Sequence, residues 1–248
     1  MQIIINNLAI TYDFLGKGPS ILLLHGWGDD HNTYKKLAPI LIDRYQLISL
    51  DLPGFGRSQS PDKAWDLDDY ADIVEAFLNK LNINTFAIIG HSNGGALAIR
   101  GLSTGKLKAN KLVLIASAGV RNTHKVRKHI VKIIAKVGKV FTVWMSRSTR
   151  EKLQKKLYGT VGSDLLLKPE LKETFKLTVR QDIQNDAKEL NIPVLLINAD
   201  RDPAIPLEDG KRLNELINGS VLEVIDANDH FIHQSYAARV GKLILSFL

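Results

Sequence analysis

Apolar residues in this chain fall into two alternating kinds of run. Short unbroken runs bounded by Gly, Asn, Asp or Pro predict buried strands, and longer stretches with apolar residues every three or four positions predict amphipathic helices. Ile3–Ile5 and Ala9–Phe14 flank Asn6-Asn7 and predict a hairpin. Further strands are predicted at Ser20–Leu24, Gln46–Leu50, Thr85–Ile89, Lys111–Ala116, Pro193–Asn198 and Ser220–Ile225. Helical spacing covers Thr33–Ile42, Leu67–Leu81, Gly95–Arg100, Leu207–Ile217 and Ser235–Leu248. From Gly119 to about Ala187 the alternation stops and the pattern is helical throughout.

Strands that read as continuous apolar runs are buried on both faces. The pattern therefore predicts one α/β domain: a mostly parallel, eight-stranded sheet with helices on both faces and the opening hairpin as its antiparallel edge. Its core covers 1–118 and 188–248. Residues 119–187 read as an inserted helical lid over the strands' carboxyl ends, where open α/β sheets bind ligands.

The 248 residues suit a single such domain. No apolar run reaches the roughly 18–20 residues of a membrane span, and Met1–Ile5 lacks the basic start of a secretory signal. A cytoplasmic location is the expectation. The chain has no cysteine, which excludes disulfides and thiol catalysis.

The net charge of +7 is unevenly distributed. Between Arg121 and Lys156, twelve Lys and Arg stand against the single acid Glu151, so this segment carries +11 and the remainder −4. Val126, Ile130, Ile133, Ile134, Val137, Phe141 and Trp144 fall on one helical face, with the basic residues opposite. One reading is a lid helix, apolar towards substrate and solvated outside. The other is a peripheral contact of the basic lid with anionic lipid or an acyl carrier. Nucleic acid is not expected, because no recognised binding module accompanies the charge.

Candidate chemistry starts at Gly90-His91-Ser92-Asn93-Gly94, between a buried strand and a helix-prone run. A serine flanked by glycines at ±2 in that setting suits a nucleophile elbow. Its hydroxyl needs a base and an anion site. His230 follows the last predicted strand, and Asp200 and Asp202 follow the strand before it. A carboxylate there would fix the imidazole tautomer and stabilise the imidazolium. His230 and His233 form a lone His-x-x-His, and no cluster has metal-ligand spacing. Asp51–Ser58 resembles a phosphate-binding glycine loop but lacks its lysine, and reads as a tight turn beside the elbow.

The whole chain resembles the α/β-hydrolase superfamily, in particular its lidded, esterase-like and ring-cleavage hydrolase-like members. The resemblance rests on His25-Gly26-Trp27-Gly28, Asp51–Ser58, Gly90–Gly95, and Asp200–Pro206 with His230. The family's G-x-x-D-x-x-x-P acid motif sets its aspartate on Asp202 and its proline on Pro206. Ala199 replaces the usual first glycine and Asp229 the usual glycine before the histidine, which leaves Asp200 as second candidate. The resemblance implies Ser92 as nucleophile, His230 as base, Asp202 as its acid, and the backbone N–H groups of Trp27 and Asn93 as oxyanion hole. It also implies loop hydrogen bonding for His25 and His91, and packing is expected of His233.

The expected activity is cofactor-free hydrolysis of a small-molecule carboxylic ester or thioester with a largely apolar acyl group, through an acyl-enzyme. A carbon–carbon bond hydrolase of a β-diketone-type substrate is the enzymatic alternative. A receptor that keeps the three side chains and binds a signal molecule is the non-enzymatic one. An acyltransferase would divert the acyl group to an alcohol or thiol.

Overall fold

A computed structural model describes residues 1–121 and 169–248. The eight strands are β1 (Gln2–Ile5), β2 (Leu8–Leu15), β3 (Ser20–Leu24), β4 (Gln46–Leu50), β5 (Thr85–His91), β6 (Lys111–Ile115), β7 (Val194–Ala199) and β8 (Val221–Ile225). They form one sheet in the order β1-β2-β4-β3-β5-β6-β7-β8. The β1–β2 and β2–β4 pairs are antiparallel, and the remaining pairs are parallel. This is the expected mostly parallel α/β architecture. The opening hairpin turns at Asn6 and Asn7, with φ of 47° and 66°, the left-handed pair a two-residue turn needs.

The helices are α1 (Ala38–Leu41), α2 (Leu67–Lys80), α3 (Asn93–Ser103), α4 (Lys172–Arg180), α5 (Gln184–Lys188), α6 (Leu207–Leu216), α7 (Ile232–Ser235) and α8 (Ala237–Phe247). Successive side chains of each strand alternate between two cores. Leu22, Leu24, Ile48, Ile88, Leu112 and Leu196 meet α2, α3 and α6 on one face. Ile21, Leu23, Leu47, Ile89, Val113 and Ile197 meet α1 and α8 on the other. Burial on both faces explains why the central strands read as unbroken apolar runs.

One predicted helix is divided. Thr33–Ile42 resolves into a 3-10 turn at His31–Tyr34 and the single turn α1. Pro39 lacks the N–H that would join them, and it stands at the start of α1. The predicted helix Ser235–Leu248 is α8, and a separate single turn, α7, precedes it, parted from it at Tyr236, whose φ of −121° and ψ of 34° lie off the helical values. Helix α2 begins as its sequence suggests, with Asp66 and Asp69 forming a reciprocal capping box.

Of the predicted lid, 119–187, residues 122–168 lie outside the described residues, and the basic amphipathic run lies there with them. Its described end forms a 3-10 turn at Pro169–Leu171, then α4 and α5. This end is fastened to the start of α2. Trp65 N–H donates to Thr174 Oγ1 at 3.1 Å and Leu67 N–H to Gln181 Oε1 at 2.6 Å. Arg100 of α3 bonds both Asp68 of α2 and Asp186 of α5. Among the described residues, no helix is long and apolar enough to cross a membrane.

Helix α3 lies unusually close to the ends of β3 and β5, and glycine permits it. A methyl on Gly94 would stand 2.2 Å from the Leu24 carbonyl oxygen and 2.6 Å from that of His25. One on Gly90 would meet the backbone of Gly94 and Gly95 at 2.6–2.7 Å. These obstacles are main chain and cannot rotate away. Gly94→Ala is therefore expected to destabilise the fold at the top of the usual overpacking range, about 3 kcal/mol. Gly105→Ala faces open space and should cost only its left-handed backbone, about 1 kcal/mol. Urea denaturation of the two variants checks the contrast.

Candidate active site

The predicted reactive residues converge on one rim, because each follows a strand that ends there. Ser92 sits directly after β5, at the N-cap of α3, with φ 51° and ψ −117°. This positive-φ conformation is strained for a side chain larger than glycine, and backbone bonds on every side hold it. Ser92 N–H donates to the Ile115 carbonyl at 3.0 Å. The Ser92 carbonyl accepts from Gly95, Ala96 and Ala118. The side chain makes no capping bond to the helix, so the hydroxyl is not consumed by local structure.

His230 follows β8 and Asp202 follows β7. Nδ1 of His230 donates to Asp202 Oδ2 at 2.8 Å, with both side chains almost fully enclosed. The other carboxylate oxygen of Asp202 accepts the N–H groups of Ala204 and Ile205 at 2.7 and 2.9 Å. Those bonds orient the carboxylate as the first turn towards α6 is made. Asp200 is engaged elsewhere, with the Ala227 N–H and the Arg201 guanidinium. It is Asp202 that reaches the imidazole. Leaving one partner of such a buried hydrogen bond unsatisfied typically costs about 1–3 kcal/mol, more for a charged group.

His91 links the serine turn to the histidine loop. Its Nε2 donates to the His230 carbonyl at 3.0 Å, and the two rings lie 4.7 Å apart between centroids. Among the described residues, the Ser92 hydroxyl makes no hydrogen bond to His230. The main chain of Gly26 borders both turn residues: a methyl there would lie 2.9 Å from His91 Nδ1 and 3.2 Å from Ser92 Cβ. Among the described residues, neither the Trp27 N–H nor the Asn93 N–H finds an acceptor in the protein.

An aromatic row flanks this backbone. The Trp27 ring packs edge-on against Phe55 at 4.9 Å and against Phe175 of α4 at 5.1 Å. Sequence reading missed Phe175, since nothing in a helical pattern tells which side chain crosses to a distant loop. It also missed His31. That ring donates from Nδ1 to buried Asp51 at 2.6 Å, and His31 N–H reaches the same oxygen at 2.8 Å. Burial pushes the Asp51 carboxyl up, but the N–H groups of Arg57 and His31 and the His31 ring outweigh it and hold it below the usual carboxylate range. A methyl on Gly56 would strike the Asp51 carboxylate at 2.2 Å. The Asp51–Ser58 segment is thus a turn built around its own aspartate.

The one group of side chains that could hold a metal ion, among the described residues, is Asp30, His31 and Asp51. Their twenty-residue spacing hid it from sequence motifs. Asp30 caps the 3-10 turn through the Asn32 N–H, and Asp51 carries three bonds from His31 and Arg57. These donors are already committed to holding loops.

The family profile described as alpha/beta hydrolase fold matches residues 19–155, and that of TAP-like protein matches 173–248. The chain belongs to the α/β-hydrolase family. It is 26% identical to the uncharacterized hydrolase YugF of Bacillus subtilis, over 92% of this chain and 89% of that protein. A meta-cleavage product hydrolase from Pseudomonas fluorescens is similar in structure, with a TM-score of 0.76 at 22% identity, covering 100% of this chain and 97% of the other. An esterase from Exiguobacterium antarcticum gives 0.77 at 19% identity, covering 99% and 98%.

Beside the rim stand histidines whose burial keeps them neutral. Burial, with the His233 and His230 rings adjacent, holds His91 well below its ordinary value. Burial, with His230 nearby, lowers His233 to about 3, and burial lowers His25. Unfolded, each ring protonates near its ordinary pKa of about 6.5. Stability is therefore full above about pH 6.5 and falls as pH drops towards the folded-state values, by about 1.4 kcal/mol per pH unit for each ring. Urea unfolding at successive pH values between 7.5 and 5 should show this slope. His233→Leu should make it shallower by about one proton's share.

Proposed function

We propose that this chain is a serine hydrolase that cleaves a carboxylic ester or thioester of a largely apolar acyl group through an acyl-enzyme. The observation that carries the reading is the enclosed Asp202–His230 pair on the same rim as the strained turn at Ser92. Because Asp202 holds the proton of His230 on Nδ1, Nε2 is left with a lone pair and can act as a base. Ser92 Oγ attacks the carbonyl carbon while His230 takes its proton. His230 then gives that proton to the leaving oxygen or sulfur. Water, activated by the same ring, releases the acid in a second round.

The two N–H groups without protein acceptors, at Trp27 and Asn93, are the natural donors for the oxyanion of the tetrahedral intermediate. Asn93 opens α3, so the helix dipole adds to its field. A serine–base hydrogen bond commonly tightens only around bound substrate, which suits a hydroxyl with no partner of its own. The row Phe55, Trp27 and Phe175 beside Gly26 favours an apolar acyl group over a charged one.

Turnover of p-nitrophenyl esters of increasing chain length tests the reading. Ser92→Ala and His230→Ala should each lower kcat by about 10³-fold or more, with the Asp202→Asn loss of similar order. A fluorophosphonate probe should label Ser92 and no other serine. Undiminished turnover in Ser92→Ala would end the proposal. Cleavage of a β-diketone with inert esters would transfer the same three side chains to carbon–carbon hydrolysis.

A further inference from the structure

We infer that Arg121 anchors a second binding site, one that takes the carboxylate or phosphate group of an anionic ligand. The site is a cleft of about 480 Å³, where Val120 and Arg121, leaving β6, meet Gln184 of α5 and one face of α6. None of Ser92, Asp202 and His230 lines it. Within the cleft, Nε and Nη2 of Arg121 are shielded from solvent and have no hydrogen-bond partner among the described residues. These two nitrogens form one edge of the planar guanidinium, and their N–H groups point the same way. That edge is the fork on which a carboxylate or phosphate sets two oxygens at once. A buried charged donor without an acceptor is costly, and an anion of this shape removes the cost.

The walls of the cleft are fixed by bonds of their own. Gln184 Nε2 donates to the Arg121 carbonyl at 3.2 Å, and Gln184 Oε1 accepts from Arg212 Nε at 3.0 Å. Arg212 Nη1 pairs with Glu215 at 3.1 Å. Beside them the Ile183 N–H donates to the Gly119 carbonyl at 3.1 Å, and a methyl on Gly119 would stand 2.3 Å from the Ile183 side chain. The backbone that carries Arg121 is therefore tied to α5. Arg212 and Glu215 satisfy each other within the wall. Glu208 and Lys211, neighbours three residues apart on α6, stand at the exposed mouth. Asp182 gives Arg121 Coulombic support but bonds neither Nε nor Nη2. The buried end of the cleft is thus cationic, and its donors are arranged for two oxygens of one group.

The test titrates the full chain with succinate and with inorganic phosphate at constant ionic strength, by calorimetry and by nitrogen-15 NMR of the Arg121 Nε–H. At least one anion should bind saturably, shift that resonance and raise Tm in step with occupancy. Binding of succinate alone assigns the site to carboxylates, and binding of phosphate alone assigns it to phosphate groups. Arg121→Gln removes the charge and the fork, and should weaken binding by about tenfold to a hundredfold. Arg121→Lys keeps the charge without the fork, and should stay at least about threefold weaker than the unaltered chain. Lys211→Gln, at the mouth, should cost no more than about threefold. Ser92→Ala should bind the anion as the unaltered chain does. Saturable binding of neither anion overturns the assignment, as does full affinity in Arg121→Gln or Arg121→Lys. Loss of binding in Ser92→Ala would move the anion to the reactive rim and overturn it as well. An Nε–H resonance that does not move on titration overturns it without any variant having to fold.

Discussion

The structure depends on one constrained peptide turn, where β5 ends and α3 begins in almost no space. Ser92 occupies a backbone conformation that a chain rarely adopts unaided. The surrounding main chain fixes it: Ile115 at the end of β6 accepts its N–H, and Ala118 donates to its carbonyl. The cost of such strain, of order 1–3 kcal/mol, is tolerated because bonds to the end of β6, to Ala118 beyond it and to the first turn of α3 determine it. Gly90 and Gly94 are consequences of this approach, since any side chain at either would enter another segment's backbone.

Around that turn, several ring nitrogens hold fixed hydrogen-bonding roles. His230 donates from Nδ1 to Asp202, His91 donates from Nε2 to the His230 carbonyl, and His25 accepts at Nε2 and donates at Nδ1. The acceptor role at His25 holds only for a neutral ring, and burial lowers the proton affinity of His25, His91 and His233. A second positive charge beside His230 would oppose any proton it accepted. The low dielectric that makes these rings costly to charge therefore also keeps the neighbourhood of the proposed base uncharged.

Much of this was legible along the chain. The unbroken apolar runs gave the strands because both faces of the sheet are covered. Ser92, Asp202 and His230 could be read as candidates because each directly follows a strand, and the strands end on one rim. Helix boundaries were less legible: the 3-10 turn ends at Tyr34, α1 begins anew with Pro39 in its first turn, and Tyr236 leaves helical geometry between α7 and α8.

Periodicity, glycine spacing and chain order by themselves determined the α/β layering, the tight turn at Ser92 and the candidate acid and base. These are local properties or depend on the succession of strands. Only the tertiary structure decided that Asp202 rather than Asp200 meets His230, that His31 pairs with Asp51, and that Phe175 closes over Trp27. In each case the partners come from separate elements, and their meeting depends on directions of side chains that sequence distance does not encode. The same holds for the His25 tautomer, which is set by an amide of Leu52 that becomes a neighbour only when the sheet forms.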